Sequence, residues 1–181
     1  MTMKTDLTFI TNEKEKNLLN RFKVLIKDTR LFDVLVGYFY PSGFYELYKS
    51  LEKTEKIRIL VGIGTSRETY DLIQQAQNPP SHQEMEQTLE TTLEREMEAS
   101  VDNAQIEEGV QKFIEWLRSG RMENRAFTNA DIHAKLYIMT FAEGDRDIGR
   151  VITGSSNFSR AGLTDNLEFN TELKKPHDYK F

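Results

Sequence analysis

Short apolar segments of β type alternate with amphipathic helical segments along the first 80 residues, and this alternation constrains the fold more than any other feature. Residues 8–10, 31–40 and 56–62 are rich in β-branched and aromatic side chains and read as strands. Between the first two, Leu18, Leu19, Phe22, Val24, Leu25 and Ile26 give a helical apolar face through about residue 28. Asn12, with Glu15 three residues on, reads as its capping box. Pro41, Ser42 and Gly43 break the second strand, and Ser42 reads as the cap of a helix carrying Tyr45, Leu47, Tyr48 and Leu51. A third helix is expected over 67–77, ended by Asn78-Pro79-Pro80. Strand–helix alternation of this kind predicts an α/β fold with parallel strand pairs.

The second half begins differently. Residues 81–120 are polar and read as a long helical insertion, with Met85, Leu89, Leu93 and Met97 every four residues and then Ile106, Val110, Phe113, Ile114 and Leu117 on a second apolar face. Trp116 belongs to that face and is expected in the core. Strand character returns over 132–140, 149–154 and 166–173. The 181 residues suit one domain spanning 1–181. The end of the chain also fits a cut within a longer protein.

Charge is segregated. The net charge of −5 argues, as a global number, against a nucleic-acid partner. Residues 82–108, however, hold nine acids and one base, so the remainder carries +3. The acidic stretch is expected as a solvated helix face, or as a flap over a binding surface. With no cysteine, disulfides, thiolate metal sites and cysteine nucleophiles are excluded. No apolar run approaches the ~20 residues that span a bilayer, and the start lacks a signal-peptide pattern. The expectation is a cytoplasmic protein without membrane contact.

The histidines are His82, His133 and His177. His133 is followed by Lys135, and in a strand the two share a face. A strand then runs into the turn Gly154-Ser155-Ser156-Asn157, and Glu168 lies eleven residues beyond Asn157. An imidazole can attack phosphorus or move a proton. A lysine supplies a point charge for a phosphate oxygen. Ser155 and Asn157 supply neutral donors, and a carboxylate such as Glu168 can fix a histidine tautomer. The set suits phosphodiester chemistry with no metal or other cofactor.

The pattern His133-x-Lys135, Gly154-Ser155-x-Asn157, Glu168 resembles the signature of the phospholipase D superfamily, and residues 36–43 and 59–62 look like its N-terminal portion. Nuclease and helicase-associated members are the most similar. The resemblance implies an α/β/α sandwich around a mixed, mostly parallel sheet, and a metal-independent phosphodiesterase with a phosphohistidine intermediate. It places His133, Lys135, Ser155, Asn157 and Glu168 in the catalytic machinery. Because the active site of the family takes two copies of the motif and this chain has one, it also implies a homodimer sharing one site. Thr140 stands where the family usually has Asp. Arg67, Arg125 and Arg160, with Arg58 and Arg121, are candidates for contacts to a substrate backbone. The expected substrate is nucleic acid, DNA first. The alternatives are a non-catalytic dimeric DNA- or partner-binding module attached to a helicase in the full-length chain, and a phospholipid-headgroup phosphodiesterase.

Overall fold

The computed structural model describes residues 9–13, 17–62, 103–126, 132–145 and 147–174. The expected helix over 67–77, the acidic stretch up to residue 102, Arg67, His82, Asp131 and His177 lie outside the described residues. Seven strands form one sheet: β1 (Phe9–Ile10), β2 (Thr29–Val36), β3 (Lys56–Val61), β4 (Met122–Ala126), β5 (Lys135–Phe141), β6 (Gly149–Gly154) and β7 (Asn170–Leu173). Their order is β1-β7-β6-β5-β2-β3-β4. The described helices are α1 (Leu18–Leu25), continued by a 3₁₀ turn over Ile26–Asp28, α2 (Pro41–Leu51), α3 (Asn103–Arg118) and the short α4 (Arg160–Thr164). None of them is long and apolar enough to cross a membrane.

The sheet is mixed, but its balance differs from the expected one. β2–β3 and β3–β4 pair in parallel, whereas β1–β7, β7–β6, β6–β5 and β5–β2 pair antiparallel. Helix α2 supplies the crossover that a parallel β2–β3 pair needs. The seven residues between β5 and β6 are too few for one, so β6 reverses direction, and β7 returns antiparallel to β6 after the longer connection that holds α4. The expectation also missed β4. Its sequence, Met-Glu-Asn-Arg-Ala, has almost no apolar signal, because it is an edge strand that buries Met122 and leaves Arg125 in solvent.

One sheet face carries the core. Phe32, Val34 and Val36 of β2, Ile57, Ile59 and Val61 of β3, and Tyr137 and Met139 of β5 are all buried. Phe22 from α1 meets Phe32 and Tyr137 edge-on, at centroid distances of 5.9 and 5.0 Å. Phe44 from α2 meets Phe113 and Trp116 of α3 at 5.2 and 5.3 Å, so Trp116 is core as expected. The described helices form one layer of the expected sandwich. On the other face, Leu35, Leu60, Leu136 and Ile138 line a groove beside the Asp33–Arg58 pair.

Local caps differ in detail from the expected ones. Asn17 caps α1, its Oδ1 accepting from Asn20 N at 2.8 Å, while Asn12 Oδ1 reaches Leu18 N at 2.8 Å from outside the helix. Pro41 takes the first position of α2, where its missing N–H costs nothing, so Ser42 is displaced from the cap. Its Oγ instead accepts from Arg160 N at 3.2 Å.

Candidate active site at one edge of the sheet

The pairings bring the motif residues to one end of the sheet. Val36, the last residue of β2, pairs with Lys135, the first of β5. Leu136 pairs with Thr153, and Gly154, the last residue of β6, pairs with Asn170, the first of β7. The segments that carry His133, Ser155–Asn157 and Glu168 therefore leave or enter the sheet side by side. Ligands collect at such strand ends because loops diverge there and leave backbone groups unpaired.

His133 is not in a strand. β5 begins at Lys135, and residues 132–134 approach it as irregular chain, so strand parity does not set the His133–Lys135 relation. What joins the two is a hydrogen bond from Lys135 Nζ to the His133 carbonyl, 2.9 Å. The cause of the break is local. A Cβ on Gly37, just past the end of β2, would run into the Ile132 carbonyl oxygen. The chain leading to His133 thus crosses over β2 instead of pairing with it, and only glycine allows that approach. His133 is exposed and Lys135 half-buried.

The Gly154–Asn157 turn is held from both sides. A Cβ on Gly154 would collide with the Phe169 carbonyl and the Asn170 side chain, so the turn closes directly on the start of β7. Ser155 N donates to Phe169 O at 3.1 Å, and Phe169 N returns a bond to Ser155 Oγ at 3.0 Å. Ser155 Oγ donates to Glu168 Oε2, and Asn166 Nδ2 donates to Glu168 Oε1 at 3.4 Å. The Glu168 carboxylate is thus spent on Ser155 and Asn166, and no bond from it to the His133 ring is seen. Asn157 Oδ1 is enclosed with no hydrogen-bond partner among the described residues.

Beneath these groups lies a layer of which the sequence pattern marks only Tyr137, by the strand parity it shares with Lys135. Tyr137, Ser156 and Asn170 are all fully buried. Tyr137 OH donates to Ser156 O at 2.7 Å. Asn170 Nδ2 donates to Ser156 Oγ at 2.9 Å, and Asn170 Oδ1 accepts from Ser156 N at 3.4 Å. Burial, with the Glu168 charge adding to it, pushes the Tyr137 phenol far above its ordinary range, so it stays a donor. Thr153 Oγ1 adds a bond to Lys135 O at 3.0 Å. Together these bonds tie the β5, β6 and β7 segments of the motif to one another. The period-2 position of Tyr137 relative to Lys135 was the available signal.

The candidate arginines among the described residues do not gather at the site. Arg121 donates to the carbonyls of Leu51 and Glu52, both at 2.6 Å, and of Thr54 at 3.0 Å, with its guanidinium 4.0 Å over the Trp116 ring. It closes the end of α2, and burial lowers its pKa from the usual value. Arg58 makes a two-pronged pair with Asp33 on the groove face, which raises its pKa. Arg125 lies 3.3 Å from Glu123, and Arg160, directly after the motif turn, 3.6 Å from Glu46. Thr140 pairs with Leu31 and Gly149 at the far end of β5. Five residues from Lys135, it is about 17 Å away.

No protein-family model matches the chain. No curated protein matches it either. Solved structures do. Two crystal structures of yeast tyrosyl-DNA phosphodiesterase superpose with a TM-score of 0.50 each, at 13% and 10% identity, over 92% and 91% of this chain. The chain has a phospholipase D-like fold. The chain spans about a third of the length of the yeast enzyme, covering 32% and 30% of it in the two structures. NucT from Helicobacter pylori is a further match, with a TM-score of 0.45 and 13% identity, over 94% of this chain and 86% of that one.

Proposed function

We propose that the chain is a metal-independent phosphodiesterase acting on nucleic acid, DNA first, with His133 as nucleophile. The observation that carries this reading is that the strand pairings bring the chain segments bearing His133, Lys135, Ser155, Asn157 and Glu168 to one end of the sheet. The name of the yeast enzyme with this fold, a tyrosyl-DNA phosphodiesterase, adds support. A ring nitrogen of His133 attacks phosphorus, the bond from phosphorus to the leaving oxygen breaks, and a phosphohistidine forms. A second imidazole protonates the leaving oxygen, then takes a proton from the water that hydrolyses the intermediate. Lys135 and the turn residue Asn157 hold the phosphoryl oxygens, and Ser155 joins them by turning its hydroxyl proton from Glu168 to the phosphate.

One motif provides one imidazole. The second comes from another copy of the chain, in a homodimer whose two-fold axis passes through the site. In a mixed dimer with one His133→Ala chain, activity is expected to fall to background. Full activity would remove the shared site.

The bond from Ser155 to Glu168, in place of one from His133, favours a second reading: a non-catalytic dimeric DNA-binding module attached to a helicase. One assay separates the two. The chain is incubated with labelled oligonucleotides in EDTA. Cleavage that is lost in His133→Ala supports the phosphodiesterase. Binding without cleavage supports the module, and cleavage only with Mg²⁺ contradicts the metal-free chemistry.

A further inference from the structure

Large apolar side chains scattered singly over a surface need no explanation. Here they are not scattered. Among the described residues seven are exposed, and five of them lie at the sheet edge that carries the motif: Phe9 (55%), Tyr38 (43%), Tyr40 (39%), Leu167 (80%) and Phe169 (59%). Four of these five are aromatic. Val24 and Ile148 are the two elsewhere.

Their placement follows from the strand order. The reacting groups sit at the ends of β5 and β6. On one side is β7 and then β1, where Phe169 and Phe9 contact each other at a centroid distance of 5.2 Å. Phe169 directly follows Glu168, and its backbone is bonded to Ser155 at both N and O. On the other side is β2, from whose end Tyr38 and Tyr40 emerge around the buried Phe39. Tyr40 is fixed by a bond from its N to Phe158 O, 3.0 Å, which ties it to the segment following the motif turn. With strands about 4.8 Å apart, each aromatic pair lies roughly 5–15 Å from the reacting groups, the reach of the nucleotides flanking a bound phosphate.

We propose that Phe169 with Phe9 on one flank, and Tyr40 with Tyr38 on the other, are base-stacking platforms that select single-stranded nucleic acid. The proposal rests on the phosphodiester reading of the same edge and adds the form of the substrate. Unpaired bases offer π-faces that aromatic side chains can cover, whatever the sequence, while the phosphate between them meets Lys135 and the turn. A duplex keeps those faces stacked on one another and has none to give.

Binding tests this without cleavage. Fluorescein-labelled 12-mers are titrated by anisotropy into the His133→Ala chain. Three probes are used: a single strand, its blunt duplex, and an abasic backbone of equal length. The single strand is expected to bind about tenfold or more tightly than either of the others. Phe169→Ala and Tyr40→Ala should each weaken single-strand binding about tenfold and leave abasic binding unchanged, while Phe169→Trp retains it. Equal binding to all three probes overturns the proposal. It is also overturned if Phe169→Ala leaves single-strand affinity unchanged and converts a dimer to a monomer in sedimentation, since the patch then joins two copies. The hydrolysis reading is judged separately on the wild-type chain: selective single-strand binding without turnover supports the platforms while that reading fails.

Discussion

Two polar layers meet at the motif edge, and they are built in opposite ways. In the buried layer, Tyr137, Ser156 and Asn170 bond to one another out of contact with water. In the layer above, His133 and Ser155 are exposed, Lys135, Asn157 and Glu168 are half-buried, and the His133 ring has no hydrogen-bond partner among the described residues. Neighbours in sequence fall into different layers: Ser155 is exposed and Ser156 enclosed, Phe169 exposed and Asn170 enclosed. The contrast teaches a division of labour. The lower layer fixes three chain segments relative to one another. The upper layer lies nearer the solvent, with the His133 ring unbonded among the described residues and Ser155 and Glu168 bonded to each other. Damage to one should therefore cost stability, and damage to the other should cost activity.

The sharpest contrast is expected between His133 and the buried carboxylate of the same sheet. His133→Ala should lower hydrolysis about a thousandfold or more, while unfolding free energy changes by less than about 0.5 kcal/mol in urea titration, as for an ordinary surface substitution. Glu172 is buried on β7 and pairs with Arg21 at 2.6 Å and Arg150 at 3.2 Å. Glu172→Ala strands the Arg21 guanidinium, while Arg150 keeps Asp147 at 2.6 Å, and should cost about 3–5 kcal/mol by the same titration. If His133→Ala destabilises as much as Glu172→Ala, the separation of layers is wrong.

Smaller effects refine the boundary. Asn170→Ala removes two bonds to Ser156 and should cost about 1–3 kcal/mol, with activity falling as the motif turn loosens. Ser155→Ala, one residue from Ser156, should leave stability nearly unchanged and reduce turnover. Tyr137→Phe should cost about 1 kcal/mol at neutral pH. The sign of its pH dependence follows from the raised pKa of Tyr137. An unfolded tyrosine ionises near pH 10, while the folded chain keeps this proton. The contribution is complete below about pH 10 and is lost as pH rises above it. Urea unfolding between about pH 9 and 11 should show a fall in the wild-type chain that is shallower in Tyr137→Phe.

The same division explains what was legible in the sequence. Periodicity revealed β2, β3, β6, α2 and the apolar face of α3, because each buries a regular stripe that burial alone demands. It missed β4, whose pairing is paid in backbone bonds rather than buried side chains. It extended β5 back over His133, since the strand-like composition of 132–134 does not show that Ile132 packs over Gly37 instead of pairing. The motif residues were legible as chemistry, and the sheet register places them together. Their support was not: Ser156 and Asn170 look like turn residues until the register closes β6 on β7. The role expected of Glu168 shifted as well, because Ser155 lies within its reach and takes its oxygen.

The central claim is that His133 bonds to phosphorus. Labelled oligonucleotide is mixed with excess chain in EDTA, quenched in denaturant during the first turnover, and the adduct is digested and mapped by mass spectrometry. The account predicts an acid-labile, base-stable phosphoramidate on His133, absent from His133→Ala. Hydrolysis that persists in His133→Ala, or an adduct on another residue, would contradict it.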